Sequence, residues 1–136
     1  MQKKSRWVNM EQVLERAKRK YRQHCQNIEV EPDEFRDEGL LEDWAEQRPL
    51  YLYQLSKRSP KEIYEELQAI WAGLRRDREM LMAAGVSESE AIEMTEGEYL
   101  NQTESEEEWE MFRQQSGLIV RPLSVWEWYR TIGEAR

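Results

Sequence analysis

Apolar residues recur along most of the chain at alternating steps of three and four, the spacing of one face of an α-helix. The clearest case lies in residues 60–84, where the series is Ile63, Leu67, Ile70, Leu74 and Leu81. An N-terminal series is formed by Trp7, Met10, Leu14, Ala17, Tyr21, His24 and Ile28. The pattern predicts an all-α fold, a compact bundle of five or six helices around a long central helix at about 60–84.

Capping residues place the helix boundaries. Asn9 is suited to cap the first helix, and Ser59-Pro60-Lys61-Glu62 is a capping box with proline at the first helical position. Gly85 supplies a left-handed stop. Asp33 is a candidate cap for a helix near 34–47, and Leu50–Tyr53 alternates as an extended segment would. Three further boxes, at Ser87, Thr103 and Ser124, predict helices near 88–100, 104–115 and 125–132.

The length and the charge pattern predict one domain over 1–136, with an uneven distribution of charge. The net charge is −8. We divide the chain into a basic helix over 1–28, a helical core over 34–84, and acidic and aromatic C-terminal helices over 86–136. Charge sorted in this way sets up a field that selects partners by sign.

The acidic block, residues 86–112, holds ten glutamates and no lysine, arginine or aspartate. One interpretation is a solvated face that keeps the protein soluble. The other is a surface for a protein partner with a basic surface, since carboxylate–arginine pairs are strong; mimicry of DNA phosphates is its narrower version. The candidate residues are Glu88, Glu90, Glu93, Glu96, Glu98, Glu104, Glu106, Glu107, Glu108 and Glu110.

The basic block, residues 1–22, is the one segment whose charge suits nucleic acid. Its cations either contact nucleic acid or lie against the acidic segments of the same chain. A membrane surface is not expected, because the apolar side chains of this helix suit a core. The candidates are Lys3, Lys4, Arg6, Arg16, Lys18, Arg19, Lys20 and Arg22.

The C-terminal segment concentrates large rings. Trp126, Trp128 and Tyr129 cannot share one helical face, and the spacing puts Trp126 and Tyr129 together with Trp128 pointing elsewhere. The rings either pack on the long helix or contact a partner, because Trp and Tyr dominate binding hot spots.

Motifs for catalysis or metal binding are not evident. His24 and Cys25 are each the only residue of their kind, so one chain cannot form a zinc site without carboxylates or a second copy. We expect no catalytic residues, no metal and no cofactor. The lone cysteine and the lack of a long apolar run favour a cytoplasmic protein.

The sequence therefore predicts a non-catalytic protein that acts by protein–protein contact, as an adaptor, a chaperone-like protein or an inhibitor. Its contact elements would be the Glu-rich segment and the aromatic C-terminal helix. Self-association as a helical homodimer is left open. A nucleic-acid-associated protein that uses the basic helix is the main alternative.

Overall fold

The computed structural model describes residues 5–133, in which helices predominate and the two strands have two residues each. This confirms the predicted class, with seven α-helices in those residues where five or six were expected. The helices are α1 (Met10–Asn27), α2 (Asp37–Gln47), α3 (Pro49–Leu55), α4 (Pro60–Ala83), α5 (Glu88–Tyr99), α6 (Glu106–Ser116) and α7 (Leu123–Trp128), the last continued by a π-helical turn (Tyr129–Gly133).

Three of the predicted caps are present. The side-chain oxygens of Asn9, Ser59 and Ser87 each accept a hydrogen bond from the backbone N–H three residues on, at 3.1, 3.2 and 3.3 Å. Each bond satisfies an N–H that the helix cannot pair internally. Gly85 has φ +98°, the left-handed conformation expected of a C-terminal stop.

Two boundary predictions are wrong. Ser105, not Thr103, caps α6. Ser124 lies inside α7 and caps no helix, because its backbone N–H and its hydroxyl both donate to the Glu46 carboxylate. Leu50–Tyr53, whose alternation was too short to assign, is helical, because Pro49 occupies the first helical position of α3 and a distant carboxylate caps it.

A short parallel pair of strands joins the two ends of the described chain. Strands β1 (Arg6–Trp7) and β2 (Leu118–Ile119) pair in register, and the Val8 N–H donates to the Ile119 carbonyl at 2.9 Å. Two-residue strands leave too little alternation to be read from the sequence. The pair fixes the start of α1 beside the end of α6.

The core is centred on α1, which contacts α2, α3, α4 and α7, and on the first half of α4. The buried stripe of α1 is Met10, Val13, Ala17, Tyr21 and Cys25. The sequence placed Leu14 and His24 in this stripe, but both are only partly buried, and Ile28 is exposed. Because neighbours surround α1 on several sides, its most buried face is rotated from the predicted one.

A buried carboxylate fixes the junction of α1, α2 and α4. Asp37 accepts from the Tyr21 hydroxyl at 2.5 Å, the Gln68 amide at 3.0 Å and the Trp71 indole at 2.7 Å. Burial and the bond to Asp37 raise the pKa of Tyr21 above its ordinary value, which keeps the hydroxyl a donor. Three donors on one carboxylate compensate its removal from water.

None of the helices within 5–133 combines the length and the apolar character needed to cross a lipid bilayer.

Candidate partner-binding surfaces

Helices α4 and α5 form an antiparallel pair, which we call the hairpin, with its turn at Gly85. The ring of Tyr99 packs over Gly73, where a Cβ atom would lie 2.9 Å from the Tyr99 Cε1. The Tyr99 hydroxyl donates to Asp77 Oδ2 at 2.5 Å. This bond, followed by the neighbouring Arg76, lowers the pKa of Asp77 and so keeps the carboxylate charged. The hairpin is thus closed by a packed ring and a charged hydrogen bond.

The outer surface of α5 is acidic and unpaired. Ala91 and Thr95 face α4 and are buried, which turns the glutamates of this helix toward solvent. None of those carboxylates forms an ion pair with a lysine or arginine of residues 5–133. The exposed set is Glu88, Glu90, Glu93, Glu96 and Glu98.

An apolar groove of about 240 Å³ runs along the hairpin beside these carboxylates. Met80 and Met94 are 65% and 55% exposed, and both line this groove. The full lining, which we call the hairpin groove, is Asp77, Met80, Leu81, Met94, Thr95 and Glu98. The groove was not predicted from the sequence. Met80, which lies off the apolar stripe of α4, was the one sign of it. Exposed methionines are typical of adaptable binding surfaces because the thioether chain is flexible and polarizable.

The glutamates of α6 divide into two kinds. Glu106, Glu107 and Glu108 are exposed and lie in the first turn of the helix, where its dipole favours negative charge. Met111, 60% exposed, lies beside them. This first turn of α6 therefore repeats, on a smaller scale, the combination of carboxylates and methionine found on the hairpin.

Two of the ten candidate glutamates, Glu104 and Glu110, form side-chain hydrogen bonds or an ion pair within the chain. Glu104 accepts from the backbone N–H groups of Leu50 and Tyr51 at 2.9 and 2.8 Å and from the Trp109 indole at 2.8 Å. Glu110 pairs with Arg113, whose hydrogen bond lowers the pKa of that carboxyl. The eight exposed glutamates are the ones left to meet solvent or a partner.

The basic face of α1 is largely engaged by the chain itself. Lys18 pairs with Glu42 at 2.5 Å, and Arg22 pairs with the buried Glu38. Lys20 donates to the carbonyls of Ser56 and Arg58 at 2.9 and 2.8 Å. Arg6, Arg16 and Arg19 form no ion pair within residues 5–133, and Lys3 and Lys4 lie outside the described residues. Two of the six described candidate cations, Lys18 and Arg22, therefore meet the protein's own acidic groups.

The aromatic C-terminal helix is mostly part of the core. Trp126 is 6% exposed, and Tyr129 stacks on Trp7 with ring centroids 4.2 Å apart. Trp128 points away and is 57% exposed, as its spacing predicted. Of the three proposed contact rings, Trp128 alone presents a largely open surface.

The comparisons with known proteins add no relative. The chain matches no known protein-family model, and no curated protein or solved structure is significantly similar to it. Within residues 5–133, no group of three His, Cys, Asp or Glu side chains is arranged to hold a metal ion.

Proposed function

We propose that the protein acts without catalysis, by binding a cationic segment of a protein partner along the hairpin. The observation that carries this proposal is the hairpin groove, in which exposed methionines lie beside Glu98 and the other α5 glutamates, which form no ion pair within residues 5–133. A segment with apolar residues on one face and lysine or arginine on the other matches both features. An adaptor, chaperone-like or inhibitory role would each use such contact.

Electrostatics supports a basic occupant. Five exposed glutamates lie on the single helix α5, and opposite charge on the partner would be steered toward them. Carboxylates that stabilise the fold have partners within the chain: Glu38 pairs with Arg22, and Glu104 accepts from the Leu50 N–H. The glutamates of α5 have no such internal use.

Packing supports an amphipathic occupant over a purely ionic one. Ion pairs at an exposed surface contribute little, about 0–1 kcal/mol each. Burial of Met80 and Met94 by apolar side chains of the partner would contribute more, at about 25 cal/mol per Å² of apolar area removed from water. The mimicry of DNA phosphates, which needs only the charges, is therefore the less favoured version.

The test uses a fluorescent, helix-forming peptide of leucine and lysine as probe, titrated with the full chain and followed by anisotropy. We expect binding that weakens with salt. It should also weaken by about tenfold in a variant with Glu93, Glu96 and Glu98 replaced by Gln, and in Met80→Ser/Met94→Ser.

The matched control is Glu15→Gln/Glu127→Gln, which removes two exposed carboxylates outside the hairpin and should change the affinity by less than about twofold. Equal loss in the control and the hairpin variants would mean that net charge alone attracts the peptide. That result would contradict the assignment to the hairpin.

A further inference from the structure

A second groove, of about 440 Å³, is lined by residues of α2 and its N-terminal turn, by Trp71 of α4 and by Leu100 at the end of α5. Phe35, Gly39, Asp43, Trp71 and Leu100 are among its lining residues. We call it the α2 groove. It shares no residue with the hairpin groove, and its position beside the α1–α2–α4 junction places it on the most firmly fixed part of the fold.

Gly39 has no structural reason to be glycine. Glycine is unfavourable inside a helix, so a helical glycine is expected to serve close packing. Gly73 does so, since the Tyr99 ring occupies the place of its missing Cβ. At Gly39 an added Cβ would meet no atom within 4 Å. The absence of a side chain at Gly39 therefore leaves space in the α2 groove.

Phe35 forms the edge of the same groove and is 91% exposed. Its ring packs against almost nothing within residues 5–133. A ring so exposed beside an apolar concavity is typical of a binding anchor that is buried by a partner.

The charged lining of the α2 groove has more carboxylates than cations, with Glu34, Glu42 and Asp43 against Arg36, and this excess favours a cationic ligand. Glu42 is paired with Lys18, and the guanidinium of Arg36 lies over the Trp71 ring at 4.6 Å. Glu34 and Asp43 have no ion-pair partner within residues 5–133. Desolvation, followed by the charge of Glu42, raises the pKa of Asp43. A second copy of the chain would bring like charges face to face, whereas a lysine or arginine would relieve the repulsion.

We infer that the α2 groove is a second seat for the cationic partner, binding an apolar side chain over Gly39 between Phe35 and Trp71, with a neighbouring lysine or arginine on Asp43. The inference rests on the proposed function for the sign of the partner's charge. It assigns a different surface, so the two can fail separately.

The experiment follows the ¹⁵N-labelled full chain as the leucine–lysine peptide is added, using the Gly39 amide and the Trp71 indole N–H as reporters of the α2 groove. We expect both signals to shift to saturation. Gly39→Ala should weaken that binding by about five- to tenfold, because the methyl group fills the space needed by the ligand. Phe35→Ala should weaken it as well, without loss of the folded spectrum.

Gln115→Ala is the control, since Gln115 is exposed on α6 and lines neither the α2 groove nor the hairpin groove. It should leave the groove affinity within about twofold of wild type. Equal weakening by Gly39→Ala and Gln115→Ala would overturn the inference.

Two further outcomes would also overturn it. If only hairpin signals shift, the proposed function stands and the α2 groove is not a seat for the partner; if no signal shifts, both proposals fail. If sedimentation without peptide shows a dimer that Phe35→Ala dissociates, the occupant is a second copy instead.

Discussion

Replacement of Glu104 by alanine tests the division of the acidic block into internal and external carboxylates. The Glu104 side chain accepts three hydrogen bonds, two from the first turn of α3 and one from the Trp109 indole. Loss of a helix cap costs about 0.5–2 kcal/mol, and a donor left without a partner away from water costs about 1–3 kcal/mol. We expect Glu104→Ala to lower the free energy of unfolding by about 2–3 kcal/mol.

The assay is urea and thermal unfolding followed by far-ultraviolet circular dichroism. For a chain of this size, the loss corresponds to a decrease in Tm of about 6–12 °C. Glu93→Ala is the control, because Glu93 is exposed on α5 and should change the stability by no more than about 0.5 kcal/mol. If Glu104→Ala and Glu93→Ala unfold alike, the structural role of Glu104 is refuted.

Three other predictions concern the packing of the hairpin and the core. Asp37→Ala leaves the donors of Tyr21, Gln68 and Trp71 without their acceptor and should destabilise the protein by about 3 kcal/mol or more in urea unfolding, with Asp37→Asn less severe. Gly73→Ala forces the Tyr99 ring away and should be about 1–3 kcal/mol less stable than Gly97→Ala, with faster amide hydrogen exchange in α5; equal stability would contradict the ring packing. The hydrogen bond between Tyr99 and Asp77 lowers the pKa of Asp77 and raises that of Tyr99. The stability that this bond adds to the hairpin should be complete between about pH 4 and 10, where Asp77 is charged and Tyr99 is neutral. It should be lost on acidification below this range and on alkalinisation above it. The measurement is the protection of α5 amides against hydrogen exchange as a function of pH. Asp77→Asn should abolish the loss of protection at low pH.

Local signals in the sequence predicted the helices well. Ser59, Ser87 and Asn9 act through bonds to residues three positions away, so their effect is visible in a short window. The length of α4 followed from its long apolar series and from Gly85. The helical class of the fold could be read for the same reason.

Contacts between distant parts of the chain could not be read. Glu104 caps a helix that begins more than fifty residues earlier, so the sequence shows it only as one more glutamate in an acidic run. In the same way, Lys18 bonds to Glu42 and Tyr21 bonds to Asp37 only because α1 and α2 pack together. The pairing of β1 with β2 joins the two ends of the described chain, and neither strand has a local signal of its own.

The candidate surfaces were predicted in part. The exposed glutamates of α5 follow from the burial of Ala91 and Thr95 on the other face, a helical periodicity that the sequence already contains. The hairpin groove could not be predicted from the sequence, because Met80 and Met94 become neighbours only when α5 packs against α4. The α2 groove could not be predicted either, since Phe35 precedes α2 and Trp71 lies in α4, and the two meet only in the folded chain.

The measurement that tests the account most directly is a map of amide shifts over the whole chain when the leucine–lysine peptide is added. We predict shifts on Asp77–Leu81 and Met94–Glu98, with a second set at Gly39 and Trp71 in the α2 groove, that grow to saturation and are lost at high salt. We also predict that a DNA duplex produces no comparable shifts. Shifts confined to Arg6, Arg16 and Arg19 on adding DNA, with the hairpin silent to the peptide, would contradict the account and favour the nucleic-acid alternative.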